Sequence, residues 1–186
     1  MSDRSDQVTL LLRKLEEGEL GAANQLLPLV YDELRSRAGR LMSGERSDHT
    51  LQRTALVHEA FLKLVKPGAT FESRLHFFNA AALAMRRILV DHAATRRTLK
   101  RGGGAKELSL DDIDPAGDGP SVDILALDEA MTQLAEASPR QAQVVNLRFF
   151  AGLKDAEIAA MLGITEKTVR RDWTTARLWL YGQMTR

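Results

Sequence analysis

Basic and hydroxyl side chains recur on one flank of a helix that the apolar periodicity predicts over residues 166–181. They are Lys167, Arg170, Arg171, Thr174 and Arg177, with Thr165 and Thr168 at or beside the start of the helix. Residues three or four positions apart share a helix face, so these groups line one surface. Guanidinium groups donate in pairs to guanine edges, while lysine and hydroxyl groups reach phosphate oxygens. The spacing therefore predicts a surface for noncovalent contact with DNA rather than a catalytic site.

The residues before this helix form a very short turn. Gly163, Ile164 and Thr165 separate it from a helix predicted over 155–162, and so short a connection makes the two helices cross steeply. Gly163 can adopt the left-handed backbone that closes the first helix, and the Thr165 hydroxyl can cap the second. The opposite flank carries an apolar stripe made of Val169, Trp173, Ala176 and Leu180. The pattern is typical of a helix-turn-helix, although an ordinary helical hairpin with solvated arginines would share it.

Composition limits the classes of function that the chain can have. Its 186 residues are 44% hydrophobic, which is enough for one large or two small cores. The chain has no cysteine, which excludes disulfides, thiolate metal clusters and cysteine catalysis. No apolar run approaches the length of a signal core or a membrane span, so we expect a cytoplasmic protein without membrane insertion.

Charge is distributed unevenly along the chain although the formal net charge is only +1. Residues 1–106 hold 18 basic against 12 acidic side chains, residues 107–138 hold none against 9, and residues 139–186 hold 8 against 4. Two basic blocks therefore flank an acidic connector. This asymmetry indicates that both basic blocks face a polyanion.

The periodicity predicts an all-α protein with two small helical domains joined by a flexible linker. The first domain, 1–98, contains helices over 6–17, 21–42, 51–65 and 77–98, with Leu56, Phe61, Leu62 and Leu64 as core of the third and Pro28 as a possible kink or restart in the second. The linker, 99–123, is basic at first, is broken by three glycines and then becomes acidic. The second domain, 124–186, contains four helices, of which the second is capped by Ser138 and runs through Phe150.

Two sets of residues resemble a known family. The second domain resembles domain four of bacterial sigma factors through Ser138-Pro139-Arg140, Leu147-Arg148, Glu157-Ile158-Ala159 and the run from Gly163 to Arg170. The first domain resembles domain two through the run from Leu56 to Leu62, Phe77, Ala84 and the run from Leu89 to His92. Together they cover almost the whole chain. The order, the size and the lack of a middle domain resemble the extracytoplasmic-function (ECF) group.

The resemblance implies a dissociable subunit that directs RNA polymerase core to promoters and helps to melt DNA, with no cofactor, metal or covalent chemistry. The helix over 166–181 would enter the major groove of the minus-thirty-five element, while Arg148 and Lys154 would contact the DNA backbone. At the minus-ten element, Phe71, Glu72, Ser73, Arg74 and His76 would capture a flipped base, and Arg86, Arg87, Arg96 and Arg97 would hold phosphates.

The resemblance also implies protein partners. His58, Glu59 and Phe61 would contact the clamp of the largest polymerase subunit, and domain four would contact the flap of the second largest. An anti-sigma factor is a family expectation that no residue identifies. The acidic linker would either imitate RNA in the polymerase cleft or act as a solvated tether.

Four positions depart from the usual family pattern. Asp172 stands where many members are basic, so that it either accepts from a cytosine amino group or pairs with Arg171. Ala80 and Arg87 replace a common tryptophan and asparagine, which shifts the expected melting determinants. Ala55 replaces a common acid and leaves Glu59 as the main charged candidate for polymerase docking.

Other classes of function explain fewer of these features. His58-Glu59 lacks the second histidine of a zinc protease helix, and Asp111, Asp112 and Asp114 lack the remaining ligands of a calcium loop. A stand-alone helix-turn-helix regulator with a helical dimerisation or sensor domain stays open, and would bind palindromic DNA as a dimer. A helical adaptor for other proteins would leave the arginines near the carboxyl end without a role.

Overall fold

The computed structural model describes residues 2–19, 21–42, 52–66, 69–99 and 124–185. Every regular element in these ranges is helical, so the all-α prediction is confirmed. The helices are α1 (Ser2–Glu16), α2 (Ala22–Leu41), α3 (Arg53–Leu64), α4 (Arg74–Leu99), α5 (Ile124–Ala137), α6 (Pro139–Val145), α7 (Asp155–Leu162) and α8 (Glu166–Met184). Among the described residues, each helix is too short or too polar to span a lipid bilayer.

The chain forms two compact units that divide within α4, between Ile88 and Leu89. This division falls before the predicted domain end at residue 98. Residues 100–123 lie outside the described ranges, so the linker and the exact domain limits remain predictions.

The first unit is built around α2, which packs against α1 and α3. Its large fully buried side chains are Leu12, Leu26, Leu34, Leu56, Phe77, Phe78, Met85 and Ile88. Helix α2 continues through Pro28 without a restart. Thus α1 to α3 and the first part of α4 enclose one apolar core, because each contributes a buried face.

Helix α4 begins three residues earlier than the periodicity predicts. Ser73 precedes it, and the Ser73 hydroxyl accepts a hydrogen bond of 3.1 Å from the His76 backbone N–H. This bond satisfies one of the free amides of the first turn and so fixes the start of the helix. A residue assigned to base capture therefore also has a structural role.

In the second unit, α5 and α6 pack against α8, and α7 packs against α8 as well. Helix α6 passes into a single π-helical turn over Asn146–Phe150, where a continuous α-helix was predicted. The Ala151 backbone N–H donates to the Asn146 carbonyl at 2.9 Å and closes this turn. Leu147 and Phe150 are both buried, so the wider turn still directs two apolar side chains into the core.

Candidate nucleic-acid interface

The turn between α7 and α8 has the geometry that its residues predict. Gly163 ends α7 in the left-handed conformation, with φ of 65°. The Thr165 hydroxyl accepts a hydrogen bond of 3.2 Å from the Thr168 backbone N–H and caps α8. At the other end of α7, Glu157 accepts from the Lys154 backbone N–H at 2.8 Å. Both helix starts are therefore fixed by local hydrogen bonds.

Helix α8 has one buried and one exposed face. Val169, Ala176 and Leu180 are buried and Trp173 is half-buried, which matches the predicted apolar stripe. Lys167, Arg170, Arg171 and Thr174 are exposed, and Thr168 and Arg177 are half-exposed. The predicted cationic face is therefore open to solvent within the described part of the chain.

The two adjacent arginines at the centre of this face are weakly held. The side chains of Arg170 and Arg171 are 62% and 69% exposed. Arg170 Nη1 lies 3.8 Å from Glu166 Oε2 on the preceding turn, and such exposed pairs contribute little. Both guanidinium groups can therefore exchange solvent for DNA at low cost.

Asp172 does not lie on the exposed face. It is 2% exposed, and its Oδ2 accepts a hydrogen bond of 2.6 Å from Arg140 Nε at the start of α6. This hydrogen bond raises the pKa of the Arg140 guanidinium. Arg171 Nε lies further away, 3.6 Å from Oδ1, so the expected pairing exists but is the weaker one. The alternative in which Asp172 accepts from a cytosine is wrong, because the carboxylate is buried inside the unit.

Arg148 packs beside the exposed face of α8. Its Nη1 donates to Asp155 Oδ1 at the start of α7, and its guanidinium carbon lies 5.0 Å from the centre of the Trp173 ring. Arg148 is 28% exposed, whereas Lys154 is exposed. The two residues expected to contact the DNA backbone therefore differ in role. Lys154 extends into solvent, whereas Arg148 also links three segments of the unit.

In the first unit, side chains of the segment before α4 contact the first turn of α4, which in turn contacts α2. The Phe71 ring lies edge-on to Phe77 and His76, with centroid distances of 5.3 and 5.9 Å. His76 Nδ1 accepts from the Glu72 backbone N–H at 3.3 Å. Arg74 donates to Glu33 on α2. Of the five residues expected to capture a base, Glu72 alone is exposed, and the other four are half-buried.

The phosphate contacts expected from α4 are described only in part. Arg87 is exposed and Arg86 is half-buried. The backbone of Arg96 and Arg97 is helical, but their side chains lie outside the described part of the structure. Within the described ranges, histidine, aspartate and glutamate side chains form no cluster of three that could hold a metal ion.

Helix α3 presents two of the three residues expected to contact polymerase, His58 and Glu59, on its solvent-facing side. His58 is exposed, and Glu59 pairs with Lys63 at 3.2 Å. Phe61 is 5% exposed and packs edge-on against Phe77, so its ring belongs to the core, and its contact with polymerase stays a prediction. Leu62 was assigned to the core but is 69% exposed. It lies four residues after His58 and three after Glu59, a spacing that places it on their face.

A comparison with protein-family models gives a match to the ECF sigma factor model over residues 5–186. The chain belongs to the ECF sigma factor family. As a sigma factor it acts in transcription initiation, and its partners are RNA polymerase core and promoter DNA. Members of the family are not enzymes. No curated protein and no solved structure gives a significant match.

The match of this sigma factor to the family spans both units. A helix-turn-helix fused to an unrelated sensor domain does not account for such a match. Three residues that form ion pairs were not predicted to do so: Glu33, Arg37 and Arg140. The exposure of Leu62 was not predicted either. Helical spacing would have identified the Glu33–Arg37 pair, whereas no local signal joins Arg140 to Asp172 across 32 residues.

Proposed function

We propose that this sigma factor reads the minus-thirty-five element with the exposed face of α8, opens the minus-ten element with the segment 69–76 and α4, and docks on polymerase through α3. The observation that carries the proposal is the exposure of Arg170 and Arg171 on a helix whose opposite face is buried. A helix held in this way fixes the backbone positions from which its cations extend.

Contact with the minus-thirty-five element uses the first half of α8. Its 19 residues span about 28 Å at 1.5 Å per residue, whereas the major groove is about 12 Å wide. The amino-terminal turns therefore fit the groove with Arg170 and Arg171 facing base edges. Lys167 and Arg177 reach phosphates on either side, and Arg148 and Lys154 add backbone contacts.

Opening of the minus-ten element uses the segment before α4. Extruding a base costs a few kcal/mol of lost pairing and stacking, which a binding surface must offset. Glu72 offers exposed hydrogen-bonding groups, and the half-buried Phe71 offers an aromatic edge. Arg86 and Arg87 on α4, with Arg96 and Arg97 further along the helix, supply positive charge for the displaced strand.

Docking on polymerase uses the exposed face of α3. Ala55, His58, Glu59 and Leu62 share this face, which combines one acidic group with one large apolar side chain. We assign this face to the clamp of the largest subunit and the second unit to the flap of the second largest. The cytoplasm is the compartment we propose, because polymerase acts there. An anti-sigma factor that covers either unit is the inhibitor we expect.

The test is run-off transcription with purified core polymerase and a library of upstream sequences. The proposal predicts weak DNA binding by the chain alone and initiation from a defined subset of sequences once core is added. Tight dimeric binding to palindromic duplexes without polymerase, together with no initiation, would favour the stand-alone regulator.

A further inference from the structure

A charged cluster in the first unit joins α2 to the first residue of α4. Glu33 Oε1 accepts a hydrogen bond of 2.6 Å from Arg37 Nη2, and its Oε2 accepts from Arg74 Nη2. Both guanidinium carbons lie over the Phe78 ring, at 4.6 Å for Arg37 and 5.1 Å for Arg74. One carboxylate and one aromatic ring therefore hold two arginines from different helices.

The buried arginine fixes the position of the carboxylate. Arg37 is 4% exposed, and its Nε and Nη1 have no hydrogen-bond partner among the described residues. Burial lowers the pKa of Arg37, and the hydrogen bond with Glu33 opposes this change. A buried cation needs a counter-charge, so Glu33 cannot turn away from Arg37 without a large cost. Its second oxygen is therefore a stationary acceptor for Arg74.

The position of Arg74 in the chain determines which segment the Glu33 carboxylate holds in place. Arg74 is the first residue of α4 and directly follows Ser73, whose hydroxyl caps the helix. On the other side of the cap, Phe71 packs against Phe77. The segment that we assign to the minus-ten element is thus anchored to α2 through Arg74 and to the core through Phe71.

We propose that Glu33 and Arg74 are positioning residues for opening of the minus-ten element. Their ion pair holds the start of α4 and the preceding segment in the arrangement that receives an extruded base. An isolated surface pair would contribute little, but this pair shares its carboxylate with a buried arginine and lies over an aromatic ring. The inference rests on the proposed function of the segment 69–76.

The test uses full-length variants with core polymerase on two templates, a duplex promoter and the same promoter with unpaired bases across the minus-ten region. Arg74→Met removes the guanidinium but leaves the Glu33–Arg37 pair intact, whereas Glu33→Gln would leave Arg37 without a counter-charge. Arg35→Met removes an exposed charge from α2 and is the matched control. Arg74→Lys keeps the charge and a single donor nitrogen in place of the guanidinium group.

We expect Arg74→Met to lower run-off from the duplex about tenfold, the size of one lost charge-assisted hydrogen bond, and less than twofold from the unpaired template. Arg74→Lys is expected to lie between Arg74→Met and wild type on the duplex, and carries the test alone if Arg74→Met does not fold. Arg35→Met should match wild type on both templates. Equal losses on the two templates, or no loss on the duplex for either Arg74 variant, would overturn the inference. Failure of the wild-type chain to initiate with core on both templates would instead overturn the proposed function.

Discussion

The buried Asp172 carboxylate on α8 accepts a hydrogen bond of 2.6 Å from Nε of Arg140 at the start of α6. The Arg140 side chain is 52% exposed, so a guanidinium group at the surface pairs with a buried carboxylate. Helix α8 is therefore docked by an ion pair as well as by its apolar stripe. This arrangement connects the stability of the second unit to the placement of Arg170 and Arg171.

Asp172→Asn is expected to lower the free energy of unfolding of the second unit by about 1–3 kcal/mol, because Asn keeps the shape of the side chain but loses the carboxylate that accepts from Nε and Nη2 of Arg140. Both tryptophans of the chain, Trp173 and Trp179, lie in α8, so urea denaturation followed by tryptophan fluorescence reports on this unit. The exposed Asp32→Asn is the control, with an expected change within about 0.5 kcal/mol. Equal behaviour of the two variants would contradict the structural role of Asp172.

Thr165→Ala is expected to destabilise the same unit by about 1 kcal/mol, because it removes the hydroxyl that accepts from the Thr168 backbone N–H. Thr165→Ser keeps an acceptor and should retain most of this stability. The same fluorescence measurement checks both variants. If Ala and Ser gave the same urea midpoint, the cap would have no energetic role.

Leu62→Ala is expected to weaken binding to core polymerase about tenfold, because a large exposed apolar side chain on α3 would lose the area that it buries on docking. Titration of labelled protein with core polymerase measures the dissociation constant. Leu10→Ala is the matched control, since Leu10 on α1 is also exposed, at 55%. A similar effect of both substitutions would remove the α3 face from the docking surface.

His76→Asn and His76→Gln separate the hydrogen bond to Glu72 from the ring contact with Phe71. Both variants lose the ring, but the Asn carboxamide oxygen can replace the Nδ1 acceptor, whereas the longer Gln places its oxygen nearer the position of Nε2. We expect Asn to initiate from duplex promoters about threefold better than Gln, consistent with one modest hydrogen bond. Indistinguishable run-off yields would show that the hydrogen bond does not matter for opening.

Residues close together in the sequence were sufficient to predict the α7–α8 pair. Gly163, Thr165 and the stripe from Val169 to Leu180 act within one or two helical turns, and the structure places them as their spacing predicts. The start of α4 was predicted three residues too late because a serine at position 73 is compatible both with a helix cap and with a loop. The periodicity began only at Phe77, the first fully buried residue of the helix.

Ion pairs between residues far apart in the chain, and the orientation of α3, could not be predicted from sequence. The pairs of Glu33 with Arg74 and of Arg140 with Asp172 join residues 41 and 32 positions apart, and no local pattern selects them. Helix α3 has apolar residues on most of its circumference, so its spacing does not decide whether Phe61 or Leu62 faces the core. The packing of Phe61 against Phe77 decides it.

The proposed reading of promoter DNA by the exposed cations of α8 is tested most directly by run-off transcription with core polymerase and the double variant Arg170→Glu, Arg171→Glu. Because each paired guanidinium contact contributes about 1–3 kcal/mol, we predict that initiation at promoters selected by the wild type falls at least about thirtyfold while binding to core is retained. Arg35→Glu on α2 is the charge-matched control and should transcribe normally. Unchanged promoter selection and yield by the double variant would contradict the account.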